Sequence, residues 1–348
     1  MKICWLLIVT LSCPSLSILG DTLGDENIVK DLRFALENME KVKKGIIATS
    51  FPEYFQYESA LKIAYTQVVM HAFSDPNYDR PDSFLATVLR TPDIVKPLIS
   101  QICIMRFSKT PDNADRSRFC NFMIQTLYTN RTTNTNACDA IKSILYFNDY
   151  PEVYSSETRE IVKKLILENR IHFFYADVVG LIKDKEIQDY LLPIANREGR
   201  HKDESFNRVW LATCVLAKAG DKTAHKKMES EADNLRNLHK AMSVPLGMAY
   251  LGDREMVLRL LEMLKSDLKK RNGEDVIPKE TQLSHEAAAV LSLCVKGFLN
   301  ISSFQTYSAQ DKARCLKWAE EHKENIVFEN KTPLYYLKNT YFSAMMHR

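Results

Sequence analysis

The strongest constraint on this chain is a short turn written twice and echoed once. Ala217-Lys218-Ala219-Gly220-Asp221-Lys222 matches Ala249-Tyr250-Leu251-Gly252-Asp253-Arg254 at a shift of 32 residues. A degenerate copy precedes them, in which Ile182-Lys183-Asp184-Lys185-Glu186-Ile187 lies over Leu251 to Met256, and Leu191-Leu192 over Leu260-Leu261. Asp184, Asp221 and Asp253 therefore fall 37 and 32 residues apart, the spacing of stacked helical hairpins. The chemistry of the turn is local. Glycine just past a first helix can take the left-handed backbone that closes it, and the aspartate after it accepts the unpaired N–H groups of a second helix. That second helix presents Met256, Val257, Leu260, Leu261 and Leu264 on one face, which a lone hairpin leaves wet and a neighbouring hairpin covers.

The segment Met248-Ala249-Tyr250-Leu251-Gly252-Asp253-Arg254-Glu255 through Leu264 resembles the HEAT-like repeats first recognised in phycobilisome lyases, which carry an apolar helix, a Leu-Gly-Asp turn and an apolar second helix. The resemblance spans roughly Val178 to Arg271. The unit around Asp253 matches best and the unit around Asp184 least, because Lys183 stands where the glycine belongs. It implies an all-α fold, an α-α superhelix of helical-hairpin repeats, and its motif is structural rather than catalytic. Trp318, Ile326-Val327-Phe328 and Leu334-Tyr335-Tyr336 resemble the aromatic, extended ends that follow some such arrays, and predict a short extended C-terminal cap over the last apolar face.

The rest of the chain also reads as helix. Glycine numbers only 10 among 348 residues, which favours helices joined by short turns. Ile28, Val29, Leu32, Ala35, Leu36, Met39 and Val42 form a 3.6-period stripe closed by Gly45, and Ser50-Phe51-Pro52-Glu53 is a capping box opening a helix to about Phe73. Ser74 to Pro81 is turn-rich and predicts a loop. Further helices are expected over 82–90, 92–107, 115–128, 137–147, 156–170, 280–300 and 308–323, and Lys269-Lys270-Arg271 reads as the cationic end of a helix. The expected division is an irregular helical region over 26–150 and a repeat region with its cap over 151–348.

The first twenty residues read as a signal peptide. Lys2 precedes the apolar run Ile3 to Leu11, too short to anchor in a bilayer, and Pro14 breaks it. Two outcomes stay open: cleavage near Ser17, after the small residues Ser15 and Ser17, or lipidation of Cys13, because Leu11-Ser12-Cys13 ends the run as a lipoprotein signal does. Either predicts an exported protein, periplasmic, secreted or lipid-anchored in the envelope. Asn130, Asn300 and Asn330 each begin an Asn-x-Ser/Thr acceptor, relevant only in a secretory route that glycosylates.

Six cysteines follow the signal: Cys103, Cys120, Cys138, Cys214, Cys294 and Cys315. None is spaced as a metal ligand pair. Cys294 and Cys315 lie symmetrically about the loop Ile301 to Tyr307, and Cys103 and Cys120 about Ser108 to Ala114, so antiparallel helices would place each pair level. Disulfides in both places compete with the simpler role of buried thiols as small apolar fillers.

No motif for chemistry stands out. There is no phosphate-binding glycine loop and no Gly-x-Ser-x-Gly elbow, and His285-Glu286 lacks the second histidine of a metal helix. His71 with Asp75, and Trp318 with His322, are single helical turns without an identifiable third partner. The 47 basic and 44 acidic residues are interspersed, with no basic stripe, so a nucleic-acid partner is not expected. No catalytic, cofactor-binding or metal-binding residue is nominated and no cofactor is implied. The expectation is a scaffold or adaptor binding a protein or peptide on the concave face of its hairpins, with no contact residues distinguishable. The alternatives are an envelope-associated enzyme with a site in the N-terminal helical half, or an inhibitor or immunity-type protein acting on a cell-wall enzyme.

Overall fold

The computed structural model describes residues 75–91, 112–131, 135–147, 153–197, 206–233, 243–266, 269–271, 280–301 and 307–327, with single positions between 33 and 103. The signal segment with Cys13 and Ser17, the stripe from Ile28 to Val42 apart from the helical Leu36, the Ser50 capping box, Asn330 and the tail from Phe328 onward lie outside the described residues. The chain divides into two compact units, Met1–Leu165 and Ile166–Arg348.

In the first unit, helix α1 (Phe84–Leu89) starts where the Ser83 hydroxyl accepts the Ala86 N–H at 3.1 Å. Helix α2 (Asn113–Arg131) opens on Asp112, whose carboxylate accepts the Ala114 N–H at 3.0 Å, and α3 (Thr135–Phe147) follows it. Both α1 and α3 pack on α2. The core is Leu85, Leu89, Phe119, Met123, Ile124, Leu127, Ile141, Ile144 and Leu145, all at 1% exposure or less. Tyr78, ahead of α1, meets Phe119 and Phe122 edge-on, and the Arg118 guanidinium lies 4.6 Å over its ring.

Helix α4 (Ser156–Leu167) is tied to α2 by polar contacts along one stripe of α2. Ser117 Oγ and Asn121 Nδ2 donate to the Val153 carbonyl, at 2.6 and 3.1 Å, while Asn121 Oδ1 accepts the Ser155 N–H at 2.9 Å. Gln125 Nε2, one turn on, reaches the Ser155 and Thr158 hydroxyls. Asparagine thus reads the backbone of an irregular segment, donor to acceptor and acceptor to donor. The helix ends at Leu167 rather than Arg170, where Asn169 takes the left-handed conformation at φ 55°.

The second unit begins with a single helical turn, α5 (Tyr175–Val178), and continues as α6 (Lys185–Ala195), α7 (Phe206–Ala219), α8 (Lys222–Asp233), α9 (Ser243–Leu251), α10 (Arg254–Met263), α11 (Leu283–Cys294) and α12 (Ala309–His322), closed by a 3-10 turn at Lys323–Asn325. Neighbouring helices pack on one another throughout: α6 on α7, α7 on α8, α9 on α10 and α11 on α12. In addition α7 packs on α9, and α9 on α11. The chain is therefore helical with packed neighbouring helices, the kind of packing a helical-repeat fold uses. Among the described residues no helix is long and apolar enough to cross a membrane.

One expectation is overturned here. Lys269–Arg271 is not the end of a helix: α10 stops at Met263, and the basic run forms strand β1, paired antiparallel with β2 (Glu280–Gln282) so that Arg271 stands opposite Glu280. Three cations in succession fit a helix end and an exposed strand equally well, and only the backbone partner across the ribbon decides between them. Consequently α11 starts at Leu283, not Glu280, and it ends at Cys294, because the chain turns through Gly297 at φ 78°.

The cysteines take the simpler of their two expected roles in the structure. All six are buried, and no disulfide joins Cys294 to Cys315 or Cys103 to Cys120. Lying level across a hairpin is a weaker condition than a disulfide's, which needs roughly 4.4–6.8 Å between Cα atoms and converging Cβ bonds. Burial pushes the Cys294 thiol up to about 12. It also raises Cys315, which lies beside the Tyr307 hydroxyl, and Cys103, where the charge of nearby Cys120 adds to the effect. These are protonated side chains filling apolar space.

Candidate functional site

The repeated turns set the geometry of the second unit. Gly220 and Gly252 sit at φ 106° and 70°, and the Asp221 N–H closes α7 on the Leu216 carbonyl at 3.0 Å. The aspartate that follows caps the second helix: Asp221 accepts the Ala224 N–H at 2.8 Å, and Asp253 the Met256 N–H at 2.8 Å. Asp184 accepts from Glu186 and Ile187, at 2.9 and 3.2 Å. Its turn lacks the adjacent glycine and solves the closure differently. Gly180, four residues earlier in the chain, takes φ 71°, the Leu181 N–H closes α5 on the Ala176 carbonyl, and a further turn to Asp184 delivers the cap.

Six residues beyond each capping aspartate, a side chain crosses to the C-terminal end of the preceding second helix. Lys227 donates to the carbonyl of Ala195, the last residue of α6, and Arg259 pairs with Asp233, the last residue of α8. Tyr190, the corresponding position after Asp184, reaches Asn169 just past α4, at 3.4 Å. Carbonyls at a helix C-terminus are unpaired and carry the negative end of the helix dipole, so a cation there is favourable twice over. In two of the three turns the sequence carries the signal, Asp followed six residues later by Lys or Arg, but its meaning needs a partner in another hairpin.

The first helices meet differently. Gly247 in α9 is placed so that a Cβ there would stand 2.7 Å from Cys214 Sγ and 2.7 Å from Trp210 Nε1, both on α7. Only glycine permits that approach. Lys218 and Tyr250, equivalent positions of the two matching turns, stack with the ammonium 4.1 Å from the ring centre, and Lys218 also pairs with Asp177 at 2.9 Å. Burial, and then the charge and proximity of the Asp177 carboxylate, push the Tyr250 phenol well above its ordinary value. The three side chains form a part-buried polar joint linking α5, α7 and α9.

The second helices carry a histidine that links two hairpins. His225 of α8 stands between Glu229 on its own helix, 3.2 Å away, and Asp253 of the next turn, 3.0 Å away. His172 is its opposite: among Phe173 and Phe174, loss of hydration and then the charge of Arg208 push it down to about 3. His285 stacks flat on Tyr307, 4.7 Å between centres, and His322 stacks on Trp318. Among the described residues no three His, Cys, Asp or Glu side chains are grouped to hold a metal.

Of the residues singled out in the sequence, Gly220, Asp221, Gly252 and Asp253 lie on one run of turns, and the structure brings Asp253 to His225. Sequence reasoning missed His225, Glu229, Lys227 and Arg259, although His225 and Glu229 are spaced one helical turn apart. No family profile, characterised protein or solved structure matches the chain.

Proposed function

We propose that the second unit is a HEAT-like array, and that the protein is an exported scaffold or adaptor that binds another protein or a peptide on the face of its second helices. The observation that carries the reading is the crossing contact repeated six residues after each capping aspartate. It links α6 to α8 through Lys227 and α8 to α10 through Arg259, which supports a shared surface of second helices. Among the first helices, α7 packs on α9 and α9 on α11. In stacked-hairpin proteins a layer of this kind is the side open to partners. The layer exposes Leu192 on α6 and Leu258 on α10, at 43% and 37%, among the charged groups Asp189, Lys226 and Glu262. Apolar anchors within a charged rim are the usual make-up of a protein-binding surface. Export and a possible lipid anchor at Cys13 rest on the first twenty residues alone.

The test is affinity purification of the full chain from the envelope fraction, alongside a Leu192→Asp, Leu258→Asp double variant with unchanged thermal stability. A stoichiometric partner recovered with the natural chain, and reduced about tenfold or more with the variant, is the expected result. Recovery of no partner, or equal recovery with both proteins, removes the proposal.

A further inference from the structure

A neutral imidazole carries one N–H and one lone pair, so a histidine with a carboxylate oxygen at each ring nitrogen is satisfied only in its charged form. His225 has that environment. Its Nε2 is 3.0 Å from Asp253 Oδ2, and its Nδ1 is 3.2 Å from Glu229 Oε1. Asp253 meanwhile uses Oδ1 to accept the Met256 N–H at 2.8 Å. One carboxylate therefore holds both the first turn of α10 and the ring projecting from α8.

We infer that His225 is a proton-operated clasp between two consecutive hairpins: charged, it ties α8 to the Gly252-Asp253 turn, and neutral, it releases one of its two carboxylates. The surroundings reinforce this. Asp253 and Glu255 face it from the start of α10, and Glu229 from its own helix. The nearby cations are engaged elsewhere, Arg259 with Asp233 and Glu255, and Arg254 with Glu324. Lys222 and Lys226 lie on the same helix as the ring and are exposed. The two helices packed against α8 add no charge: α9 has none, while on α7 Arg208 reaches Asn169 and Lys218 pairs with Asp177.

The hydrogen bond to Asp253, helped by the charges of Asp253, Glu229 and Glu255 and opposed by partial burial, raises the His225 pKa above the ordinary histidine value. A raised folded-state value means that the clasp contributes fully below about pH 6.5 and is lost as pH rises through the folded-state value. The ring and Asp253 are partly exposed, at 29% and 40%, so solvent and salt keep the effect modest. His172 acts in the other direction, costing stability as pH falls below about 6.5, because its folded form resists protonation. The clasp is therefore read as a difference between variants and not from one pH profile.

The experiment is an NMR titration of the histidine rings in the full chain, with amide exchange at Met256 followed at pH 6 and pH 8. The expected results are a His225 pKa above that of an unfolded peptide and lowered by Asp253→Asn, which keeps a capping oxygen. Met256 opening, corrected for intrinsic exchange, should rise about two- to fivefold from pH 6 to pH 8 in the natural chain and stay level in His225→Gln. A His225 pKa at or below the peptide value overturns the inference, as does an unchanged pH dependence at Met256 in His225→Gln.

Discussion

The two units assemble helices by different means. In the second, one joint is used repeatedly: an aspartate caps a helix, and six residues later a side chain crosses to the end of the preceding second helix. In the first, the joint between α2 and α4 is made once, by Ser117, Asn121 and Gln125 reading the backbone and hydroxyls of residues 153–158. A repeated joint spreads its energy over equivalent sites, each modest and replaceable. A unique joint concentrates it in a few half-buried polar groups whose loss leaves others unpaired.

The comparison is broken most directly at Gly247. A methyl there collides with Trp210 and Cys214, and the overpacking outweighs the gain in helix propensity, so Gly247→Ala should cost about 2–3 kcal/mol in denaturant unfolding. A neutral or stabilising result would mean that α7 and α9 do not approach closely, and the proposed hairpin array of the second unit would fall with it.

In the first unit, Asn121→Ala leaves the Ser155 N–H without its acceptor and should cost about 1–2 kcal/mol. Asn121→Asp supplies the acceptor but not the donor, so it should recover part of the loss. If both cost nothing, the polar stripe is ornamental and the contrast between the units disappears.

The capping aspartates sharpen the idea of equivalence. Asp221→Ala and Asp253→Ala should each cost about 1 kcal/mol, and the corresponding asparagine variants almost nothing, because asparagine caps as well as aspartate. At Asp253 the measurement is made at both pH 6 and pH 8, because the His225 contribution falls as pH rises. A twofold or larger disparity between the two sites at pH 8 would show that the turns are alike in sequence but not in energy.

The smallest effects are expected at the crossing cations. Lys227→Met and Arg259→Met should each cost about 0.5 kcal/mol at low ionic strength and less in about 0.5 M salt, since these are surface contacts. A salt-independent loss would assign their role to packing of the aliphatic stems instead.

Much of the helical character was legible because its causes are local. The Gly220-Asp221 and Gly252-Asp253 turns act within four residues of themselves, and Ser308 with Asp311 forms the capping box that opens α12. The Asp184 turn shows the limit of such reading. Lys183 suggested a defective copy, whereas the left-handed residue had moved to Gly180. The basic run 269–271 misled for the same reason, since charge alone does not say whether a segment ends a helix or pairs with a strand.

Local chemistry in the sequence thus determined that the chain is helical, where its second-unit turns lie and which faces are apolar, because caps, left-handed glycines and 3.6-residue periodicity act within a turn or two. Only the tertiary structure decided that the six cysteines stay thiols, that Lys227 and Arg259 hold the ends of neighbouring helices, and that His225 faces two carboxylates. The contacts of Lys227 and Arg259, and that of His225 with Asp253, join residues from different hairpins, 26 to 32 positions apart, whereas Glu229 stands one turn from His225 on its own helix. Their geometry exists only once the helices have packed, and no local pattern in the chain encodes it.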